Sequence, residues 1–219
     1  MIIDLEQDYK DRIEAIWNKQ IELYPETKEN EIIKLGYAIE RELTTGGVLF
    51  LGMNPSYRPG EWNNNGGGFY AIEPKNAFFQ AIINFCQSEL KIDYVSHHDI
   101  LFVRHTNQKD IENLMQQRNY RVFFKEQLEL SRDIIRATSP ELIVVLNARV
   151  REVFKKMFPS DYDNSFDEEL GAYIVDIGKE IPVVFSGMLS GQRALDLGSK
   201  RTLQWQIQRI MKRVVSVNE

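Results

Sequence analysis

The stretch Gly47-Val48-Leu49-Phe50-Leu51-Gly52-Met53-Asn54-Pro55-Ser56 decides the fold of this chain. Its apolar run, residues 48–51, predicts a buried parallel strand, and Gly52 begins the loop at the carboxyl end of that strand. In an open α/β sheet, ligands bind at this edge. Pro55 fixes its own φ and biases Asn54 towards an extended backbone, so a stiff loop presents the Asn54 amide. Such an amide suits a water molecule or the edge of a base.

The rest of the chain alternates apolar strand patterns with helical patterns. This alternation predicts an α/β fold, a three-layer α/β/α sandwich with helices on both faces of a central, mainly parallel sheet of four strands. Asn76 is the predicted N-cap of the first helix in the domain. The predicted core strands are residues 48–51, 100–103, 142–146 and 181–185, with an edge strand near 172–175. The predicted helices are residues 77–90, 123–137, 147–154 and 202–215.

Residues 1–44 form a helical N-terminal extension in this prediction, packed on an α/β domain of residues 45–219. Apolar side chains follow helical spacing over residues 4–23 and 28–43, and Pro25 separates the two segments. The extension holds 11 acidic and 6 basic residues, which accounts for the whole net charge of -5. The remaining residues are neutral overall. A phosphate-binding partner therefore needs a local basic face, and Arg104, His105 and Lys109 are candidates for one.

The composition is typical of an intracellular globular protein, with 219 residues of which 43% are hydrophobic. No apolar stretch approaches ~18 residues and the N-terminus does not resemble a secretion signal, so we expect a cytoplasmic protein without a membrane partner. The single cysteine, Cys86, falls on the apolar side of a predicted helix and is interpreted as a core thiol. His97-His98-Asp99 lacks a third ligand at a suitable spacing, so no metal site is predicted.

The loop Asn63-Asn64-Asn65-Gly66-Gly67-Gly68-Phe69-Tyr70 is the second unusual feature. Its glycines allow the backbone to approach a ligand closely, and two aromatic rings follow at once. Two interpretations remain open: a pocket with backbone donors and a stacking ring, or a surface loop with Phe69 or Tyr70 tucked into the core. The loop lacks the lysine-serine pair of a P-loop and the GxGxxG turn of a dinucleotide site, so neither type of phosphate binding is indicated.

The order of these motifs resembles a known group of enzymes. A strand that ends in Gly52-Met53-Asn54-Pro55-Ser56, followed by Pro74-Lys75-Asn76-Ala77-Phe78-Phe79, is similar to the mismatch-specific uracil-DNA glycosylase and thymine-DNA glycosylase branch of the uracil-DNA glycosylase superfamily. Pro140-Glu141-Leu142-Ile143-Val144-Val145-Leu146 resembles the third strand of that family. Met188-Leu189-Ser190-Gly191-Gln192-Arg193 resembles the loop after its last strand. The resemblance runs from about residue 47 to the C-terminus, and residues 1–44 are outside it.

The resemblance implies roles for individual residues. Asn54 would hold the hydrolytic water, and Tyr70 or Phe69 would stack on a base that has been flipped out of the helix. Met188 or Leu189 would enter the DNA helix as an apolar wedge. The implied partner is DNA with uracil or a mismatch, and the implied reaction needs no metal and no cofactor. The other implied base-binding residues are Gly52, Met53, Ser56 and Asn76, and the other implied DNA-binding residues are Gly187, Ser190 and Arg193.

The sequence departs from the family in the loop after the last predicted strand. Active relatives carry His-Pro-Ser or Asn-Pro-Ser there, whereas this chain has Val184-Phe185-Ser186-Gly187-Met188. Ser186, His105 or Asn107 could contact the base edge in place of the missing donor. Two functions stay open: a base-excision repair glycosylase that hydrolyses the N-glycosidic bond of uracil or a related base, and a nucleobase- or nucleic-acid-binding module with weak or no catalysis.

Overall fold

The computed structural model describes residues 1–57, 67–72, 76–191 and 194–217, with side chains described as far as residue 213. Within these ranges the chain forms a mixed α/β structure around one mostly parallel sheet. None of the described helices combines the length and apolar composition that a membrane span requires. Residues 63–66 of the glycine-rich loop lie outside the described residues, and so does Arg193.

The described strands and helices follow one another along the whole chain. The strands are β1 (Ile2–Asp4), β2 (Ala38–Glu40), β3 (Glu42–Thr44), β4 (Val48–Gly52), β5 (Gly68–Tyr70), β6 (Ser96–Asp99), β7 (Leu142–Leu146), β8 (Phe166–Asp167), β9 (Ala172–Asp176) and β10 (Glu180–Ser186). The α-helices are α1 (Leu5–Leu23), α2 (Glu31–Lys34), α3 (Ala77–Asn84), α4 (Gln108–Gln116), α5 (Arg121–Thr138), α6 (Ala148–Met157) and α7 (Leu197–Val217). A π-helical turn, Phe85–Leu90, continues α3.

The central sheet has the strand order β6-β4-β7-β10-β9-β8. The first four strands are parallel to one another, and β9 and β8 add an antiparallel edge. The predicted sheet of four strands is therefore wrong in number, because the described sheet has six. The strand predicted near residues 172–175 is confirmed as β9, but its predicted edge position is wrong, because the short strand β8 pairs with it on the outer side. The four parallel strands place their carboxyl ends along one edge of the sheet, which is where parallel sheets bind ligands.

Side chains of the parallel strands alternate between the two faces of the sheet. Leu49 and Val145 belong to the core cluster that also contains apolar side chains of α1, α5 and α6. Phe50 and Val144 belong to a second cluster, together with apolar side chains of α3 and α7. Because successive residues of a strand point to opposite faces, these two clusters lie on opposite sides of the sheet. The prediction of helices on both faces is confirmed.

The helix that follows the glycine-rich loop begins as the sequence predicts. Asn76 caps it, since its Oδ1 accepts a hydrogen bond of 2.9 Å from the backbone N–H of Phe78. Cys86 lies in the π-helical turn and is buried in the core, as predicted. Burial raises the pKa of its thiol to about 12, so the thiol stays protonated and apolar in character. Helix α4 is absent from the sequence prediction.

The prediction of a helix over residues 28–43 is wrong. Of these residues, Glu31–Lys34 form α2, and Gly36 then adopts a φ of 70°, after which β2 and β3 follow. β3 pairs antiparallel with β1, and β2 pairs parallel with β5. Ile39 and Leu43 suggested a helix because a spacing of four residues places side chains on one face of a helix and also on one face of a strand. The N-terminal segment is therefore helical only in part.

The second strand of the sheet also lies elsewhere than predicted. The sequence predicts it at residues 100–103, whereas β6 is the polar stretch Ser96–Asp99. The apolar run, residues 100–103, is fully buried and follows the end of β6. It stays attached to the segment around the end of β4, because Ile100 N–H donates to Gly52 O and Leu101 N–H donates to Met53 O. Polar side chains were not expected in a buried strand because each of them needs a partner there. The partners, Glu40 and Ser131 among them, come from distant parts of the chain.

Candidate functional site

A pocket of about 250 Å³ opens at the carboxyl ends of the parallel strands. β4 contributes Gly52 and the loop that follows it, and β6 contributes Asp99. β7 contributes Leu146, and the segment after β10 contributes Met188 and Ser190. The pocket therefore lies at the edge of the sheet where the sequence predicts a ligand.

Asn54 lines the pocket and is held by its amide nitrogen. Nδ2 donates to the backbone oxygens of His105 at 2.7 Å, Val103 at 3.2 Å and Pro55 at 3.1 Å. Since carbonyl oxygens can only accept, these contacts assign nitrogen and oxygen within the amide. Oδ1 is buried and has no hydrogen-bond partner in the described part of the chain. A buried acceptor without a donor costs about 1–3 kcal/mol, so this oxygen is a site for a bound donor such as water.

Gly52 makes room for the side chains of β6. It pairs with Asp99 in the register of β4 and β6. A Cβ at Gly52 would lie 2.1 Å from Asp99 Oδ1 and 2.9 Å from His97 Nε2. Both distances are too short for real atoms, so any larger residue would push these groups apart. The sequence predicts Gly52 as a base-binding residue, and the structure shows how it shapes the pocket wall.

Ionisable side chains from two strands meet beside the pocket. Glu40 of β2 places Oε1 at 2.9 Å from His97 Nδ1 and Oε2 at 3.4 Å from His98 Nδ1. His97 Nε2 lies 3.8 Å from Asp99 Oδ1 and has no hydrogen-bond partner among the described residues. His98 Nε2 lies 3.0 Å from Ser131 Oγ on α5. Glu40, His97 and His98 are fully buried, whereas the Asp99 side chain remains 10% exposed where it lines the pocket.

The charges of this cluster depend on one another. Burial alone would raise the pKa of Glu40, but hydrogen bonds from His97 and His98 outweigh it and lower that pKa to about 2. Burial alone would lower the pKa of His97, but the charge of Asp99 and the hydrogen bond to Glu40 raise it above its ordinary value. Burial raises the pKa of Asp99 to about 7, with His97 opposing the rise and Glu40 adding to it. Asp99 therefore changes protonation near neutral pH.

The same cluster could offer atoms to a metal ion. One ligand atom each from Glu40, His97 and Asp99 lies within 4.8 Å of the others. However, Glu40 Oε1 already contacts His97 Nδ1 and accepts a hydrogen bond of 2.9 Å from the Tyr70 hydroxyl. A metal ion would have to displace both contacts, and the set falls short of the four ligands that a structural zinc site uses. We therefore interpret the cluster as a hydrogen-bonded ionic network. The sequence analysis missed its third member, Glu40.

Aromatic rings form another wall of the pocket. Tyr70, Phe78 and Phe79 all line it. The centroid of the Phe79 ring lies 5.8 Å from that of Tyr70 and 5.3 Å from that of Phe78. The Tyr70 ring is buried and its hydroxyl faces Glu40, whereas Phe78 is half-buried. Of the two predicted stacking rings, Tyr70 therefore lies at the pocket. Phe69 instead packs in the core, with its ring 5.9 Å from that of Tyr37.

The structure brings other predicted base-binding residues to the same place. Met53, Ser56, Asn76 and His105 line the pocket. His105 is engaged elsewhere by one nitrogen, since Nε2 lies 2.9 Å from Asp110 Oδ2. Asn107 is absent from the described pocket lining. It is exposed and caps α4, where its Oδ1 accepts from Lys109 N–H at 3.1 Å. In this structure Asn107 therefore serves as a helix cap, and its contact with a base stays a prediction.

In the segment after β10, some of the predicted DNA-binding residues line the pocket and others pack elsewhere. Met188 and Ser190 line the pocket and are half-buried. Leu189 is buried in the core with side chains of α3 and α7, so it does not fit the predicted role of a wedge. Gly187 lies against Leu195, because a Cβ there would approach Cδ2 to 2.7 Å. Ser186 ends β10 and is absent from the described pocket lining, and its carbonyl oxygen accepts from Asn147 N–H.

One residue of the basic face predicted after the second strand, Arg104, is not on the surface. Arg104 is fully buried, and Nη1 donates to Leu35 O at 2.9 Å. Its guanidinium lies 5.2 Å from the centre of the Tyr57 ring, and burial lowers its pKa. Arg104 is therefore packed inside the protein and is not available on an exposed phosphate-binding surface.

Sequence reasoning also missed polar residues that line the pocket. Asn147 follows β7 in the same way that Asn54 follows β4, and this shared position was the available signal. Its Nδ2 donates to Gln108 Oε1 at 3.1 Å, while its Oδ1 caps α6. Gln108 belongs to the unpredicted helix α4, so no local pattern indicated it. Asp99 gave a weak signal as a carboxylate at the start of an apolar run.

Neither a scan against protein-family models nor a search of the curated proteins found a match to this chain.

Proposed function

We propose that this protein is a glycosylase that hydrolyses the N-glycosidic bond of uracil or a related base in DNA after base flipping, on a three-layer α/β/α sandwich of the uracil-DNA glycosylase type. The observation that carries the proposal is the state of the Asn54 amide. Three backbone oxygens hold its nitrogen, which leaves a buried oxygen without a partner in a residue that lines the pocket. This is the arrangement that a side chain needs in order to hold a water molecule in one orientation.

The chemistry of N-glycosidic cleavage suits such a group. The bond to the base breaks as the sugar gains oxocarbenium character, so the attacking water needs correct placement more than it needs a strong base. An amide oxygen cannot remove a proton efficiently, but it accepts a hydrogen bond and fixes the direction of a water lone pair. Asn54 would therefore act by orientation, and the developing charge on the base must be stabilised by another part of the pocket.

The size and lining of the pocket support a single nucleobase as the bound group. A volume of about 250 Å³ is below the ~300–1,000 Å³ of pockets for drug-sized ligands. The half-buried ring of Phe78 offers a flat apolar surface, and polar groups of Asn54 and Asp99 lie among the same lining residues. A target atom inside a duplex cannot reach such a pocket unless the nucleotide flips out, which costs a few kcal/mol. Met188 is the wedge candidate that remains.

A second function, recognition of a base without cleavage, is favoured by one observation. Within the described residues, the segment after β10 brings Met188, Ser190 and Gly191 to the pocket, and none of these has an imidazole or amide side chain. Cleavage therefore requires that the leaving base be stabilised from elsewhere. A protein with no such stabilisation would bind a base and release it unchanged.

Base release from a panel of oligonucleotides tests the proposal. The panel carries uracil, a G·U or G·T mismatch, hypoxanthine or a 5-substituted uracil, in single- and double-stranded form. We expect release from at least one substrate and a loss of about 10²-fold or more in Asn54→Ala, because the water is no longer oriented. Asn113→Ala is the matched control, since this asparagine is exposed on α4, is absent from the described pocket lining and should keep full activity. Binding without release from any substrate would favour the second function.

A further inference from the structure

The ionic network beside the pocket extends from the protein interior, at Glu40, to the pocket, at Asp99. Glu40 is fully buried and contacts Nδ1 of His97, and Nε2 on the other side of that ring faces Asp99 at 3.8 Å. Asp99 alone of the three is partly exposed, and it lines the pocket. The distance of 3.8 Å is too long for a hydrogen bond, so this contact leaves Asp99 Oδ1 able to bind another group.

We infer that Asp99 donates a proton to the base as it leaves, and that His97 and Glu40 are positioning residues for this donor. The inference rests on the proposed function and supplies the stabilisation that the segment after β10 does not. It assigns a catalytic role to a residue on β6, the strand next to β4, and Asn54 lies in the loop after β4. Water and proton donor would then approach the substrate from neighbouring strands.

Other titratable groups in the described pocket lining are engaged elsewhere. The Tyr70 hydroxyl donates to Glu40 Oε1 at 2.9 Å, and His105 Nε2 lies 2.9 Å from Asp110 Oδ2. The groups that face Asp99 are His97 on its own strand, Glu40 on β2 and Tyr70 on β5, while Gly52 of β4 brings no charge. Of these neighbours, His97 is the one whose positive charge would stabilise the Asp99 carboxylate after the proton has moved.

The proton balance of the step is complete without a further reactant. The C1′–N bond breaks and its electron pair goes to the base, while the water oxygen forms a bond to C1′. The proton of Asp99 moves to the base, which leaves as a neutral molecule. The attacking water loses one proton to solvent, and the Asp99 carboxylate later takes one up from solvent. The sum is addition of one water molecule across the glycosidic bond.

The protonation behaviour of Asp99 supports this role. Burial raises its pKa to about 7, with His97 opposing the rise and Glu40 adding to it. An acid with a pKa near the working pH combines a populated protonated form with an easy transfer, which is where general acids act best. A neutral carboxyl also presents one donor and one acceptor side by side. This pair matches the adjacent C=O and N–H of a lactam base such as uracil.

The pH dependence of base release tests the inference in the full chain. Single-turnover release is measured from pH 5 to 9 for the wild type, Asp99→Asn, His97→Gln and the control Asp93→Asn, whose carboxylate is exposed. We expect wild-type release to fall as pH rises above about 7, and Asp99→Asn to be slower by about 10²-fold and flat with pH. In His97→Gln the fall should move to higher pH, because the positive charge that lowers the Asp99 pKa is gone. If Asp99→Asn released base at the same rate and with the same pH dependence as the wild type, the inference would be overturned.

A second readout separates this inference from the proposed function. The carboxyl ¹³C signal of Asp99, assigned by its loss in Asp99→Asn, is titrated with pH in the presence and absence of free uracil. We expect a midpoint near neutral pH that moves upwards when uracil binds, because bound uracil stabilises the protonated carboxyl. Failure of the wild type to release any base would contradict the proposed function alone. A midpoint that uracil leaves unchanged overturns the inference, whether or not the protein releases base.

Discussion

Two walls of one pocket use different physics to hold a polar group in place. The amide wall, Asn54 and the carbonyl oxygens around it, is uncharged, and its amide is fixed by three neutral hydrogen bonds. The acid wall, Glu40, His97 and Asp99, is ionic and fully or almost fully buried. Neutral contacts keep their strength over a wide range of pH, whereas buried charges depend on the protonation of every member. The pocket therefore combines a pH-independent side with a pH-sensitive side.

The largest expected effect comes from removing the charge of Glu40. Glu40→Gln leaves His98 buried without its carboxylate partner and leaves His97 with Asp99 at 3.8 Å, and breaking a buried pair costs about 3–5 kcal/mol of the free energy of unfolding. Denaturant unfolding at pH 7 measures this loss. The matched control is Glu126→Gln, whose carboxylate pairs with Lys19 at the surface and should contribute less than about 1 kcal/mol. Equal losses in the two variants would show that the buried charges of the acid wall contribute no more stability than a surface ion pair.

The acid limb of the stability curve sharpens the same test. The pKa of Glu40 is about 2 in the folded protein and 4.5 ordinarily, so its stabilisation is complete above about pH 4.5 and is lost as pH falls towards 2. Glu40→Gln should lack this loss, and its deficit relative to the wild type should shrink over that range. A deficit that stays constant from pH 6 to pH 3 would contradict the charge-based account.

Asp99→Asn should change the free energy of unfolding by a few kcal/mol at most. Its dependence on pH should be opposite to that of Glu40, because the pKa of Asp99 is raised and that of Glu40 is lowered. The folded pKa of about 7 exceeds the ordinary value of 3.8, so the folded state binds more protons between these two pH values. Wild-type stability from this group is therefore present below about pH 4 and is lost as pH rises to 7. The variant lacks that loss and should gain on the wild type over this window, then remain level above it. Thermal unfolding from pH 4 to 8 measures the difference, and a flat difference would contradict the assignment.

Gly52→Ala tests the contact between the two walls. The added Cβ would lie 2.1 Å from Asp99 Oδ1, so the side chains must move at a cost towards the upper end of the ~1–3 kcal/mol of overpacked sites. Gly198→Ala is the control, because Gly198 is exposed in the first turn of α7 and a Cβ there would lie 3.1 Å from its nearest neighbour, Asp196 Oδ1. We expect that control to be neutral or slightly stabilising. The two changes are compared by denaturant unfolding, and equal stability would mean that the close approach is not tight.

The smallest effect is expected on the amide wall. Asn54→Ala removes the donor from buried carbonyl oxygens of Val103 and His105, which costs about 1–2 kcal/mol of unfolding free energy. Because no charge is involved, the loss should be the same at pH 5 and pH 8. Thermal unfolding at both pH values checks this, and a loss that grows with pH would show that the amide wall is coupled to Asp99.

Much of the sheet could be predicted from the sequence because its strands are encoded locally. Residues 48–51, 142–146 and 181–185 are short runs of apolar residues, and the last two are rich in β-branched residues, which is the pattern of buried parallel strands. The described strands β4, β7 and β10 include all of them. β6 could not be found this way, because its polar residues are satisfied by Glu40 and Ser131, which lie far away in the sequence.

The two walls differ in predictability for the same reason. Asn54 was identified because its neighbours Gly52 and Pro55 stand beside it in the sequence and describe a stiff loop at the end of a strand. Glu40 was assigned to a helix, and its position beside His97 depends on the pairing of β2 with β5 and on contacts between distant segments. Leu189 and Met188 are neighbours with similar side chains, and only the packing of α3 and α7 decides which one is buried.

The most direct test of the central claim is single-turnover release of free base from a uracil-containing oligonucleotide, measured by mass spectrometry with wild-type protein and with Asn54→Ala. The variant is first shown to be folded by its thermal transition. The account predicts free uracil from the wild type and a rate lower by about 10²-fold or more in Asn54→Ala. Release at equal rates from both proteins, or no release from the wild type, would contradict the claim that Asn54 holds the water for hydrolysis.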